Sequence, residues 1–194
     1  MLSPHVTRYS RGRGFTLIEL MVTVALAAIL GMLAAPAIGD FIVKSKMTNA
    51  ANEFSGGILR ARNEAVSRNT CVTLCMSSNA ADNAPSCSAS GTDWQVGWIA
   101  FMNTSCDSSL SAPASSADLL FARVSSGSDV SVTARNSVRK MMFNSRGSQG
   151  LANADRFSVE NASTTATQKY GVSICLDAMG RSRVIPGGIE CSSY

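Results

Sequence analysis

The sequence predicts an α+β protein: a long N-terminal α-helix, half transmembrane and half amphipathic, packed on an antiparallel β-rich head. Three observations predict this. Residues 15–38 are apolar except for one acid and two threonines. An apolar stripe at helical spacing then runs from Val43 to Ala65. After Asn69, short β-prone runs alternate with Ser, Gly, Asn and Pro, and all six cysteines lie there.

The first fourteen residues are basic: Arg8, Arg11 and Arg13 precede the apolar run and no acid does. The formal charge of the 194-residue chain, +4, is therefore misleading. Beyond the leader 14 Lys and Arg face 13 Asp and Glu. A nearly neutral remainder can hold nucleic acid only through a local patch. The one histidine, His5, is also in the leader. Without it the chain has no Ser-His-Asp or Cys-His catalysis and no His-ligated metal site. The expectation is a protein that is not an enzyme and takes no cofactor or metal.

From Phe15 to Ile38 only Glu19 is charged, and only Thr16 and Thr23 are otherwise polar. About 20 apolar residues as helix cross a bilayer core. Arginines precede the segment, and no base follows until Lys44 and Lys46, so the N-terminus is expected to stay cytoplasmic and the rest to be exported. Three readings fit: a plain anchor, a signal peptide cut near Ala35-Pro36-Ala37, or a segment that uses Glu19. A carboxylate inside a spanning helix costs about 2.5–3.5 kcal/mol near the centre, less toward an end, and such residues usually have a function. A cut between Gly14 and Phe15 supplies the missing cation, a new α-ammonium four residues before Glu19.

The stretch "RGFTLIELMV" resembles the class III leader of type IV pilins and type II secretion pseudopilins. The resemblance implies that a prepilin peptidase/N-methyltransferase cuts after Gly14 and methylates Phe15. It also implies that Glu19 assists processing and docking into the filament, and that Pro36 matches a helix-kinking proline. The domains expected are a leader at 1–14, a transmembrane or filament-core helix at 15–42, an amphipathic helix at 43–69 and a head at 70–194. The implied location is the bacterial inner membrane with the head periplasmic, and after assembly the pilus. The implied partners are other major and minor pilins and the inner-membrane assembly platform.

Beyond Asp40, Val43, Met47, Ala50, Phe54, Ile58, Ala61 and Ala65 form one helical stripe. Arg60–Glu64 and Glu64–Arg68 are spaced as i,i+4 pairs. Gly56-Gly57 is the soft point, at about 1 kcal/mol per glycine. A helix from Phe15 to Arg68 is roughly 80 Å long. Strands are expected at Cys71–Met76, Gln95–Met102, Leu119–Val124, Val130–Ala134, Lys140–Phe143, Phe157–Glu160, Tyr170–Leu176 and Arg183–Ile185, in two packed sheets. Segments Ser77–Asp93 and Asn103–Asp118 are long Ser/Ala-rich connections and are expected to be mobile.

An even cysteine count in an exported head favours disulfides over zinc, and six cysteines leave fifteen connectivities open. Sequence proximity favours Cys175–Cys191 and Cys75–Cys87, and Cys71–Cys106 is what remains. Gly180-Arg181-Ser182-Arg183 lies between Cys175 and Cys191. Arginines two apart on an extended segment point the same way, and guanidinium forks suit phosphate oxygens. A second basic run without acids holds Arg135, Arg139, Lys140 and Arg146. Taken alone, two arginines on a hairpin are more often a solvated turn.

The pieces "ARNEAVSRN", "DWQVGWIAFMN", "MMFNSRGSQG" and "GVSICLDAMGRSRV" make the head similar to the GspH/FimT/FimU group of minor pilins and pseudopilins. For FimT-like members a Gly-Arg-X-Arg element implies binding of double-stranded DNA during natural transformation. Carried over, it points to Arg181 and Arg183, with Gly180 permitting the turn and Arg135, Arg139, Lys140 and Arg146 as further support. The alternative is a minor pilin, or a type II secretion pseudopilin, that primes or caps a filament without binding DNA.

Overall fold

A computed structural model describes residues 14–125, 127, 129–149, 155–161, 169–187, 189 and 191. The leader expected at 1–14 lies outside them except for Gly14. The chain divides into two compact units, Met1–Asp40 and Phe41–Tyr194.

Helix α1, Leu17–Ser67, is a single 51-residue element, two residues shorter at its start and one at its end than the pattern suggested. Both ends have a local cause. Thr16 caps the N-terminus, as described below. At the other end Asn69 takes φ 50°, Asn69 N–H donates to Val66 O (3.2 Å) and Thr70 N–H to Ala65 O (3.1 Å). That is the paired bonding of a Schellman stop with asparagine at the left-handed position. In the first unit the large apolar side chains from Leu17 to Met32 are exposed. The helix is long and apolar enough to cross a membrane, and Pro36 lies within its range.

In the second unit the helical stripe is the core. Met47, Ala51, Phe54, Ile58, Ala61 and Ala65 are fully buried, with Val43 and Ala50 packed at the margin. Ala51, absent from the expected stripe, follows from i,i+4 steps off Met47. Glu64 pairs with Arg68 at 2.7 Å. Arg60 instead lies over the Phe121 ring, 4.3 Å from its centroid, because a cation gains more over an aromatic face than in a wet i,i+4 pair.

The glycine pair divides in two. A Cβ on Gly57 would sit 3.1 Å from Trp98 Nε1, whereas one on Gly56 would meet nothing within 4 Å. Gly56→Ala is therefore expected to stabilise the head by about 1 kcal/mol, and Gly57→Ala to gain little or lose, as the indole gives way. Urea unfolding of the two variants reads the difference.

Among the described residues, eight strands form two antiparallel sheets. The first has order β3 (Leu119–Val124), β2 (Gly97–Asn103), β1 (Cys71–Met76), β5 (Lys140–Phe143). The second has order β4 (Val130–Ala134), β6 (Asp155–Asn161), β7 (Val172–Leu176), β8 (Ser182–Pro186). Strand β2 starts later than expected because Asp93 caps a 3-10 turn at Trp94–Val96, accepting from Gln95 N–H. The turn carries Trp94 into the core, where its indole N–H reaches Val138 O at 3.0 Å. Alternation then decides the faces. Val72, Leu74, Met76, Trp98 and Ala100 meet α1, as do Phe157, Val159, Ile174 and Leu176 of the second sheet.

The opposite face of the first sheet carries a second small core: Cys75, Ala80, Ile99 and Phe101, with Cys87, Leu110 and Leu119 against it. The two long connections build it. Hydrogen bonds and disulfides tie each of them to the sheet. Asn79 Oδ1 accepts from Ser77 Oγ–H and Ser86 N–H, and the buried Asn103 amide donates to Thr73 Oγ1 and Asp107 O. Disulfides tie them to β1: Cys75–Cys87 and Cys71–Cys106. The third, Cys175–Cys191, ties the C-terminal segment to β7. Bridges of this kind contribute about 2–4 kcal/mol each.

Candidate functional site

At the N-terminus Thr16 and Glu19 form a capping box. Thr16 N–H and its hydroxyl donate to Glu19 Oε2 at 2.9 and 3.1 Å, and Glu19 N–H donates to Thr16 Oγ1 at 3.3 Å. The lone acid thus closes its own helix, and Gly14 lies just outside that end. The Thr-x-x-Glu signal is present in the sequence, and the reading of Glu19 as a partner for a new amine passed over it.

The second site lies where three segments of the head meet. Arg62, half-buried on α1, donates from one Nε to Gly147 O (3.0 Å) and Met179 O (3.1 Å). Those carbonyls belong to two adjacent tight turns, Asn144–Gly147 and Asp177–Gly180, each closed by a backbone bond. Gln149 joins them further, N–H to Ala178 O and Nε2 to Asp177 O. Both turns end on a buried glycine with positive φ, 78° at Gly147 and 72° at Gly180, and a Cβ on Gly180 would run into the Gly147 carbonyl. Only glycine fits that approach. Sequence reasoning missed Arg62, whose place as the second residue of "ARNEAV" carries no sign of a long-range partner.

The arginines fall in different surroundings. Arg181 is held: its N–H donates to Asp177 Oδ1 at 2.8 Å and its Nε to Oδ2 at 2.7 Å. Arg183 is exposed on the edge strand β8, while its neighbour Ser182 turns inward to Ser55 of α1 at 2.8 Å. Arg146 is exposed on the neighbouring turn. Arg139 and Lys140 are elsewhere, lining a cavity of about 510 Å³ with Ser88, Ser111 and Ser137 and reaching Gly91 O and Leu110 O. Arg135 is exposed just beyond β4. Thus Arg146 and Arg181 lie on or next to the two joined turns and Arg183 on β8, while Arg139 and Lys140 line the cavity.

Burial raises the Asp177 pKa, but hydrogen bonds and charge from Arg181, with a bond from the Met179 backbone, outweigh it and leave the pKa below its ordinary 3.8. A depressed carboxylate stabilises the fold above that value, and the contribution disappears as pH falls through the folded pKa. The Asp177–Arg181 turn is therefore expected to hold down to about pH 3.8 and to loosen below it. Amide shifts of Arg181 followed through an acid titration, with Asp177→Asn as reference, check this.

A helix opening on a threonine–glutamate cap, an apolar first half and a two-sheet head stapled to its second half define a type IV pilin-like protein. The family model for "Type II transport protein GspH" matches residues 50–180, and that for the "Prokaryotic N-terminal methylation motif" matches residues 9–35. The chain belongs to the GspH family, whose members here are of the minor type IV pilin and pseudopilin type. A type IV major alpha-pilin of Moraxella bovis is 47% identical over 45 residues, 23% of this chain and 28% of that protein. Fimbrial protein EcpC of Eikenella corrodens is 47% identical over a span of the same length, 29% of its own. The match therefore spans under a third of these relatives. The crystal structure of the Pseudomonas aeruginosa type IV minor pilin FimU superposes with a TM-score of 0.58 at 17% identity, over 79% of this chain and 99% of that one. A second crystal form of FimU gives 0.52 at 18% identity, over 76% and 99%. Both share the fold.

Proposed function

We propose that this chain is a minor subunit of a type IV pilus whose head binds double-stranded DNA through phosphate contacts, for natural transformation. In this reading prepilin peptidase cuts after Gly14 and methylates Phe15. The α-helix holds the subunit in the inner membrane with its head in the periplasm, and the assembly platform moves it into the filament beside other pilins. What supports the DNA contact is the pair of glycine turns locked by Arg62, which carry Arg146 and Arg181, with exposed Arg183 on the strand that follows. Contacts of this kind are independent of base sequence and sensitive to salt. A single head with few contacts binds weakly, and copies along a filament gain by avidity.

Gel shift or NMR titration of the head from Phe41 onward with short duplex DNA, at several salt concentrations, tests it. Arg183→Gln is expected to weaken binding and make the salt slope shallower by about 0.9. Asp177→Asn removes the carboxylate beside Arg181 and is expected to tighten binding. A wild-type head that fails to bind at low salt, or binding indifferent to both changes, rules the DNA reading out.

A second reading has support of its own. The Arg181–Asp177 ion pair spends that guanidinium within the turn. This favours a subunit that primes or caps a pilus, or a type II secretion filament, without touching DNA. Deletion of the gene, scored for piliation, transformation and secretion, separates these roles.

A further inference from the structure

The cavity of about 510 Å³ beside the start of β5 is walled by Arg139, Lys140, Ser137, Ser111 and Ser88. Its walls come from three segments fixed to one another. Cys87 is bonded to Cys75 of β1, Cys87 N–H donates to Ser111 O at 2.7 Å, and Ser88 N–H donates to Met76 O at 2.7 Å. Met76 N–H in turn donates to Arg139 O at 2.9 Å. The two cations complete the enclosure. Arg139 reaches Gly91 O of one long connection at 3.4 Å, and Lys140 Nζ reaches Leu110 O of the other at 3.1 Å. A space held this way is preformed, as ligand sites usually are. Every charged group in its wall is positive. Among the described residues no carboxylate forms an ion pair with Arg139 or Lys140, so both spend their charge on neutral carbonyls. Lys140 acts on Asp107 from farther off, and that carboxylate already takes two bonds from Ser109. A half-buried ammonium without a close counter-ion is unfavourable. Exposed Ser111 and Ser137 add hydroxyl donors to the same wall, and Ser137 holds φ 54°. Side chains in that left-handed region are strained, and such strain clusters at ligand clamps.

We propose that this cavity binds a small oxyanion carried on a hydroxylated body, the chemistry of a sugar phosphate or a sugar acid. The site does not depend on the DNA reading: it lies at the start of β5, and the Asn144–Gly147 turn follows the end of that strand. A guanidinium fork beside an ammonium matches the oxygens of a phosphate or carboxylate, and the serine hydroxyls add donors to the same anion. No acid stands in the wall to repel it. The volume decides that the anion comes with a body, because a cavity of this size holds a whole small molecule. The rest of the wall decides what kind of body. Ala89, Val138 and the Cys87 bridge are small, and no aromatic ring lines the cavity for a base to stack on. Hydroxyls and exposed carbonyls suit a body that both donates and accepts hydrogen bonds.

The head from Phe41 onward is a compact unit with its own core, so it is the protein to use. Its amide NMR spectrum is followed with glucose phosphate, glucuronate, glucose and inorganic phosphate in turn, at constant ionic strength. Saturable shifts at Ser111, Ser137 and Arg139 are expected from glucose phosphate or glucuronate and not from glucose. Whichever of the two acidic sugars binds tighter names the anion. Arg139→Gln and Lys140→Gln are each expected to weaken that binding about tenfold or more, the loss of one charge-assisted hydrogen bond. Arg139→Lys keeps the charge and should recover part of it, and Ser111→Ala, which touches neither cation, should weaken it by a smaller factor. Arg183→Gln, on β8, should leave it unchanged. No saturable shift with either acidic sugar overturns the proposal, as does wild-type affinity in both Gln variants. Inorganic phosphate binding as tightly as glucose phosphate also overturns it and leaves an adventitious ion only. Duplex DNA that shifts these amides where the sugars do not gives the cavity to DNA and overturns it as well. Matching thermal unfolding of the variants excludes misfolding as the cause of any loss.

Discussion

Phe54→Ala is expected to remove about 3–5 kcal/mol of the head's stability, comparable to a large part of what a domain of this size has. Phe54 is fully buried on α1 and meets three rings: Trp94 at 5.0 Å, Trp98 at 5.4 Å and Phe157 at 4.9 Å between centroids. Trp98 belongs to one sheet and Phe157 to the other, so a single side chain fills the space where helix and both sheets converge. Trp94 and Phe157 also touch directly at 5.9 Å. Truncation leaves a cavity that rigid strands and three disulfides cannot collapse to fill. Aromatic pairing adds about 0.5–1.5 kcal/mol per pair to the burial. Denaturant unfolding of the oxidised head measures the loss; a cost under about 1 kcal/mol would show that the helix is not the keystone of this core.

Gly180→Ala is the second. An alanine there must hold φ near 72°, at about 1–2 kcal/mol, and its Cβ would also strike the Gly147 carbonyl, a backbone atom with no freedom to yield. The two turns have to part, and Arg62 then loses one or both of its carbonyl partners. A destabilisation exceeding that of the φ change alone is expected, together with amide shifts at Gly147 and Gln149 remote from the substitution. Gly127→Ala is the matched control, with φ 59° and open space around it. Equal costs for the two variants would mean that the turns do not depend on their close approach.

The contrast between these sites explains what was readable beforehand. The stripe from Val43 to Ala65 is a local, periodic signal, and the buried face of α1 follows it closely. Strands bounded by Gly, Asn and Ser were similarly visible. The turn at Trp94 is not legible, because the bond that Gln95 N–H donates to Asp93 Oδ1 competes with strand pairing only through geometry. Asn79 and Asn103 each organise a long Ser/Ala-rich connection over the small second core, which composition does not announce. Arg62 meeting Gly147 and Met179 depends on pairing register between segments. No local pattern encodes it. Glu19 is the intermediate case: the spacing from Thr16 to Glu19 encodes the cap, beside the charge that the sequence makes more conspicuous.

Every proposed role of this chain assumes a subunit whose leader is removed by a cut between residues 14 and 15. Intact-mass measurement of the protein purified from membranes of its native host is the direct test. The prediction is a polypeptide that begins at Phe15, carries one added methyl group at its amine and keeps all six cysteines oxidised. A chain that retains residues 1–14, or one that begins beyond Pro36, contradicts it.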